Sequence, residues 1–295
     1  MKLTASILTS LLCTATLHLA TFNTAAAESK PAGLGPSFKG PLGLQLYSLR
    51  AAFSKDVPST LAKVAGFGFK NVETAGTYGM TPQQFKELLD ANKLTAVAGH
   101  FSFDAYRTNL EAVVRDAKTL GLQYAGCAWI PHEGEFGEAD CRKAIAVFSK
   151  AGEELAKAGI KFFYHCHGYE FKPHGDATFM DALIKGTKPE HVRFEMDVFW
   201  VVHPGHDPVK WLAKYPGRWE LMHVKDMKKG TPCGLFTGKS DVNNDVVLGT
   251  GVIDWPALLR EAARSGVKWY FIEDESDAVA QQIPQSLRFL EQVRW

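Results

Sequence analysis

The sequence predicts an α/β protein built as a single-domain (β/α)8 TIM barrel. After Gly40, short apolar runs rich in β-formers alternate with longer amphipathic stretches to the end of the chain, and eight such units fit one closed parallel barrel. Several of the apolar runs end in ligand-capable side chains, as expected of a barrel whose site gathers at the C-terminal ends of its strands. An open, doubly wound sheet alternates in the same way but is expected to carry a Gly-rich phosphate turn after its first strand. Here that strand runs into Leu46-Tyr47-Ser48-Leu49-Arg50 instead.

In chain order, strands are predicted to begin at Gly43, Asn71, Ala96, Tyr124, Phe162, Val192, Trp219 and Trp269. Helical periodicity fills residues 59–64, 82–89, 110–120, 141–158 and 255–263. The punctuation agrees. Thr81-Pro82 supplies an N-cap and a first-turn proline, Asp254 precedes Trp255-Pro256, and Gly121, Gly159 and Gly266 follow helical stretches. Residues 241–251, rich in Asn, Asp and Gly, are expected to loop over the mouth of the barrel.

With 46% hydrophobic and 22% charged residues, the 295-residue chain carries enough apolar surface for one large core. Its opening differs from the rest. Lys2 precedes an apolar stretch over residues 3–20, and Ala25-Ala26-Ala27 supplies a small-residue cleavage pattern. The expected organisation is a signal peptide over 1–27, an N-terminal linker over 28–40 and a catalytic barrel over 41–295, in the periplasm or outside the cell. No other run approaches the ~20 apolar residues of a membrane span, so no membrane attachment is expected after cleavage. Losing residues 1–27 removes Lys2 and no acid, so the 33 basic residues become 32, against 32 acidic ones. A neutral chain has no global attraction to nucleic acid. Cys127, Cys141, Cys166 and Cys233 remain without paired spacing, although the strand order brings the strand ends that hold Cys127 and Cys166 side by side.

The densest chemistry lies in Phe162-Phe163-Tyr164-His165-Cys166-His167-Gly168-Tyr169-Glu170, a β-rich run that ends in two histidines and a carboxylate. His165 and His167 are two apart and share a strand face, where they can bind substrate hydroxyls or shuttle a proton. Lys225, two residues after His223, shares its face in the same way and is a candidate substrate or phosphate contact. Gln45 in the first strand, Glu73, His100 and Trp129 at the ends of the next three, and Trp200 are candidate substrate-binding residues. A lone carboxylate at a strand end is more often a helix cap or a solvated group; several on separate strands point to a shared site.

The first strand, Leu44-Gln45-Leu46-Tyr47-Ser48-Leu49-Arg50, together with Tyr164-His165-Cys166-His167, Glu195-Met196-Asp197-Val198-Phe199-Trp200, His223-Val224-Lys225-Asp226 and Gly249-Thr250-Gly251-Val252-Ile253-Asp254-Trp255, resembles the xylose-isomerase-like sugar phosphate isomerase/epimerase family. Inosose dehydratases and ketohexose 3-epimerases belong to that family. The resemblance implies one divalent metal held by Asp197, His223, Glu273 and a fourth ligand, for which Glu170 is preferred over His165. Glu273 is preferred over Glu275 because it directly follows the apolar run. Cys166 stands where the family usually has asparagine, and Glu273-Asp274-Glu275 replaces its Glu-Gln-Asp ending.

Carboxylates with an imidazole make a hard, mixed oxygen and nitrogen site suited to Mn²⁺, Mg²⁺ or Co²⁺ more than to Zn²⁺. Such a metal polarises a sugar carbonyl and stabilises the enediolate left by proton removal. Glu170, His165, His167, Lys225 and Glu273 are therefore the candidate catalytic residues. Export points to a small, non-phosphorylated sugar, keto-sugar or glycoside as substrate. The leading expectation is a metal-dependent sugar isomerase/epimerase. The alternatives are a lyase using the same enediolate (a dehydratase or a 3-keto-glycoside eliminase) and a non-catalytic sugar-binding barrel. The family also resembles endonuclease IV, but such nucleases use several metals and many more histidines. Barrels of this family often pair, which allows a homodimer.

Overall fold

Alternating side-chain direction along eight parallel strands organises the structure. A computed structural model describes residues 32–295; the predicted signal peptide, residues 1–27, lies outside the described residues. The strands are β1 (Leu42–Gln45), β2 (Asn71–Thr74), β3 (Thr95–His100), β4 (Tyr124–Cys127), β5 (Lys161–His165), β6 (Val192–Asp197), β7 (Trp219–Val224) and β8 (Trp269–Ile272). Each pairs in parallel with its neighbour in sequence, and β8 closes on β1. The predicted starts of β1, β3 and β5 each fall one residue late; at β3 and β5 the ladder takes in Thr95 and Lys161, the polar residues just before the apolar runs.

Around the barrel lie α1 (Val57–Gly66), α2 (Pro82–Ala91), α3 (Leu110–Leu120), α4 (Glu138–Lys157), α5 (Phe179–Gly186), α6 (Pro208–Lys214), α7 (Trp255–Ser265) and α8 (Val279–Gln292). The caps act where the sequence places them. Thr81 and Gln84 form a reciprocal capping box, Asp254 accepts from Ala257 N–H at 3.1 Å, and Gly121 and Gly266 end α3 and α7 in the left-handed conformation. Among the described residues, no helix is long and apolar enough to cross a membrane.

Strand parity separates two apolar layers. Leu44, Val72, Phe162, Tyr164, Phe194 and Ile272 belong to the core between sheet and helices. Val97, Ala98, Tyr124, Phe163, Leu221 and Phe271 fill the barrel itself. Two glycines make that filling possible: a Cβ at Gly43 would lie 2.7 Å from the Phe271 ring, and one at Gly126 would lie 2.4 Å from the Phe163 ring. Register slips between Phe194 and Glu195 against β7, skipping Glu220. Such a bulge re-aims a side chain. It turns the Glu220 carboxylate into the N-terminal end of the barrel, where Tyr124, Lys161, Arg193 and Lys268 all donate to it. With the interior plugged below, polar inward positions remain at the C-terminal end.

Candidate active site

The last inward positions of β5, β6 and β7 are His165, Asp197 and His223, and Glu273 directly follows β8. All four are buried, and each offers an atom that lies within 4.8 Å of the other three. His223 Nδ1 is 3.0 Å from His165 Nε2, 3.1 Å from Glu273 Oε2 and 3.6 Å from Asp197 Oδ2. Asp197 divides its oxygens between two tasks. Its Oδ1 accepts from Trp200 N–H at 3.2 Å and so caps the short helix Val198–Val202, while its buried Oδ2 has no hydrogen-bond partner. Donors about 2.1 Å from one cation lie about 3.0–3.5 Å apart. The spacing, the orphaned oxygen and the two facing imidazole nitrogens therefore fit a divalent metal.

A second tier lies beneath. His223 Nε2 is 2.9 Å from Glu73 Oε1 and 3.2 Å from Glu195 Oε2, and His100 Nε2 approaches the same two oxygens at 3.0 and 3.3 Å. The Gln45 amide donates to Glu73. With its Nε2–H given to these carboxylates, His223 keeps the Nδ1 lone pair for the upper cluster, as a metal-ligating imidazole requires.

Charge follows this layout. Burial alone would lower His100 and raise Asp197, but the neighbours win. Glu73 and Glu195 lift His100 to about 9, and Lys225 with the two histidines holds Asp197 well below the usual carboxylate range. Lys225 is buried, yet Asp245, Glu273, Glu275 and Asp197 raise it well above an ordinary lysine. Its Nζ lies 2.7 Å from Glu275, 3.3 Å from Glu273 and 3.5 Å from Asp245. Burial keeps His167 far below its usual value and pushes Asp245 up to about 7.

Glu170 is a correction. The expectation made it both the fourth ligand and a catalytic group, but the structure places it outside the cluster and gives its position there to His165. Tyr164 points outward into the layer between sheet and helices, and its hydroxyl donates to Glu170, whose carboxylate also takes His167 N–H at 3.0 Å. Glu170 is therefore on the far side of β5, fully buried and pushed up to about 7 by that burial. The chain reaches this position through Gly168, whose φ of +92° is accessible to glycine at no steric cost.

Gln45, His100, Trp129, His165, His167, Trp200, Lys225 and Glu273 all line one cavity of ≈ 630 Å³ above the cluster. Glu73 lies below it as the tether of His223 and His100. Residues 238–242 and Asp245 roof the cavity, so the segment expected to cover the mouth, 241–251, reaches it through Asp241, Val242 and Asp245, while Gly249 and Gly251 are tied to Asp226. Among the described residues the four cysteines, Cys127, Cys141, Cys166 and Cys233, are free, Cys127 turning its thiol to the Trp129 carbonyl at 3.3 Å. Sequence reasoning missed Glu195 and Asp245. Glu195 was detectable because it lies two residues before Asp197 on the same strand face. Asp245 gave no such signal, since a loop delivers it.

Residues 61–293 match the family model described as the xylose isomerase-like TIM barrel. The chain belongs to that family. Within the xylose isomerase-like barrels, an inosose dehydratase of Clostridium botulinum (strain Alaska E43 / Type E3) is 26% identical over 254 residues, covering 74% of this chain and 81% of that protein. The crystal structure of a sugar phosphate isomerase/epimerase from Parabacteroides distasonis ATCC 8503 superposes with a TM-score of 0.70 at 25% identity, over 91% of this chain and 97% of that one. The IolI protein, solved with a bound zinc atom, shares the fold at a TM-score of 0.66 and 14% identity, over 84% and 95% of the two chains.

Proposed function

We propose that this barrel is a divalent-metal-dependent enzyme that removes a proton beside the carbonyl of a non-phosphorylated sugar or keto-sugar, leading to isomerisation or epimerisation. The observation that carries the reading is the buried group of His165, Asp197, His223 and Glu273 beneath a cavity of ligand size. Two nitrogens and two oxygens suit Mn²⁺, Co²⁺ or Zn²⁺ better than Mg²⁺, because the second imidazole softens the set. A bound cation would polarise the carbonyl and stabilise the enediolate.

The chain's own groups supply the rest. With Nε2 turned to the cluster, His165 carries its proton on Nδ1 and donates to His167 Nδ1 at 3.2 Å. His167 then offers its Nε2–H to a sugar oxygen. Asp245 lines the same cavity with a carboxyl near neutrality, which suits it to take the carbon proton. Lys225 stays charged and steadies negative charge developing on the substrate. It is too heavily paired to grip a phosphate, and in the cavity wall the carboxyl groups of Asp241, Asp245, Glu273 and Glu275 outnumber the two lysines, Lys225 and Lys239. That supports a neutral sugar.

The 26% identity with a protein named inosose dehydratase supports elimination as the second reading, in which the same enediolate expels a neighbouring group. Lys2, the apolar stretch over 3–20 and the Ala25-Ala26-Ala27 pattern support export, which N-terminal sequencing of protein recovered from the periplasm or medium tests. Proton NMR in D₂O of Mn²⁺-supplied protein with free ketoses and 3-keto-glucosides tests the chemistry. Metal-dependent deuterium uptake with a new epimer or isomer supports the first reading, and an unsaturated keto-sugar supports the second. No deuterium uptake with any sugar under metal saturation rejects both.

A further inference from the structure

The cavity above the cluster does not end at the reacting centre. A second hollow of ≈ 470 Å³ continues from it, sharing Tyr47, Ala75, His100, Ala128 and Trp129. Tyr47 and Trp129 are 44% and 37% exposed, unusual for aromatic rings beside a buried polar site. Each is backed by a fixed partner. The Arg50 guanidinium lies 4.5 Å over the Tyr47 ring and is held by Glu275 at 3.4 Å. Trp129 stacks on His132 at 5.3 Å and meets the edge of Tyr169 at 4.8 Å. The rest of the hollow's lining is mostly apolar: Ala75, Gly76 and Ala128 are small, and Phe101, Phe103 and Pro131 add larger apolar surface. A Cβ at Gly76 would meet nothing within 4 Å. Ser102 and Asp104 add polar groups to the lining.

We propose that this hollow is a second subsite, which takes a ring joined through a glycosidic linkage to the sugar in the main cavity. This deepens the reading above and rests on it: the substrate is a glycoside and not a monosaccharide. Preorganised, exposed aromatic rings lining a mostly apolar hollow match the flat apolar face of a pyranose or an aryl ring. The two charge-bearing groups in the lining are already paired, Asp104 with Arg107 and His100 with Glu73 and Glu195, which matches a neutral ring. Ser102 and Asp104 offer polar groups to the hydroxyls of a second sugar.

The test is titration of Mn²⁺-supplied protein with glucose, cellobiose, maltose and phenyl β-glucoside, followed by tryptophan fluorescence and saturation-transfer NMR. At least one two-ring probe is expected to bind about tenfold or more tightly than glucose, in line with an added stacking contact. That ratio should fall close to one in Tyr47→Ala and in Trp129→Ala, with circular dichroism verifying that both variants are folded. A disaccharide preference identifies a second sugar, and a phenyl glucoside preference identifies an aryl aglycone. Glucose binding with no two-ring advantage, or an advantage that survives both substitutions, overturns the subsite alone. If no probe binds, the sugar reading fails and the subsite fails with it.

Discussion

Glu220→Gln should weaken the fold without touching the site. Glu220 is 4% exposed at the N-terminal end of the barrel. Its Oε1 accepts from Arg193 at 2.7 Å and Lys268 at 2.9 Å, and its Oε2 accepts from Tyr124 and Lys161 at 2.8 Å. Burial by itself would raise this carboxyl, but the four donors hold it near 2 against an ordinary 4.5. That difference corresponds to about 3 kcal/mol at neutral pH. Lys161 and Lys268 are 42% and 52% exposed, and solvent screening reduces the expectation to about 2 kcal/mol. Glutamine keeps the shape and an acceptor but leaves three cations facing one another.

Urea denaturation of both proteins at pH 7, 5 and 3.5 measures the gap. Because the folded carboxyl lies below its unfolded value, its contribution is complete above 4.5 and is lost as pH falls toward 2. The gap should therefore be nearly full at pH 5 and visibly smaller at pH 3.5. Thermal midpoints at pH 7 should differ by about 4–8 °C. A gap below about 0.5 kcal/mol at pH 7, or one that does not shrink at pH 3.5, would refute the reasoning.

Four further outcomes follow from the site. Asp197→Asn and His165→Ala should each reduce Mn²⁺ affinity at least about 100-fold by calorimetry with far-UV dichroism intact, since each removes a proposed ligand. Glu170→Gln should instead keep metal affinity within about threefold while lowering the thermal midpoint, because its carboxylate ties Tyr164 to the His167 backbone; metal loss there would restore Glu170 as a ligand. Catalysed deuterium exchange should rise with pH through about 7, as Asp245 loses the proton that burial helps it hold, and Asp245→Asn should lower the rate at least about 100-fold and abolish that rise. Asp226→Ala should cost about 3 kcal/mol and expose residues 245–253 to protease, because Asp226 accepts from the N–H groups of Gly249, Gly251 and Ile253 and from the Trp255 indole.

Legibility in the sequence followed the range of the interactions. Strand starts were readable to within one residue because each is a local change from polar to apolar side chains. Helices α1, α2, α3, α4 and α7 were readable from periodicity, and α2, α3, α4 and α7 from the residues that punctuate their ends as well. α5 and α6 were too short to show a period, and Pro284 inside α8 masked another. His165, Asp197, His223 and Glu273 were recognisable as candidates because each ends an apolar run.

What the chain by itself determined was the order of strands and helices and the set of polar residues delivered to one end of them. It did not determine which of those residues meet. Strand parity sent His165 inward and tied Glu170 to the outward-facing Tyr164. A one-residue slip in register swung Glu220 into the closed end, and a loop carried Asp245 across to Lys225. Side-chain direction, register and closure are relations between distant segments, set when the barrel shuts, and local pattern holds no record of them.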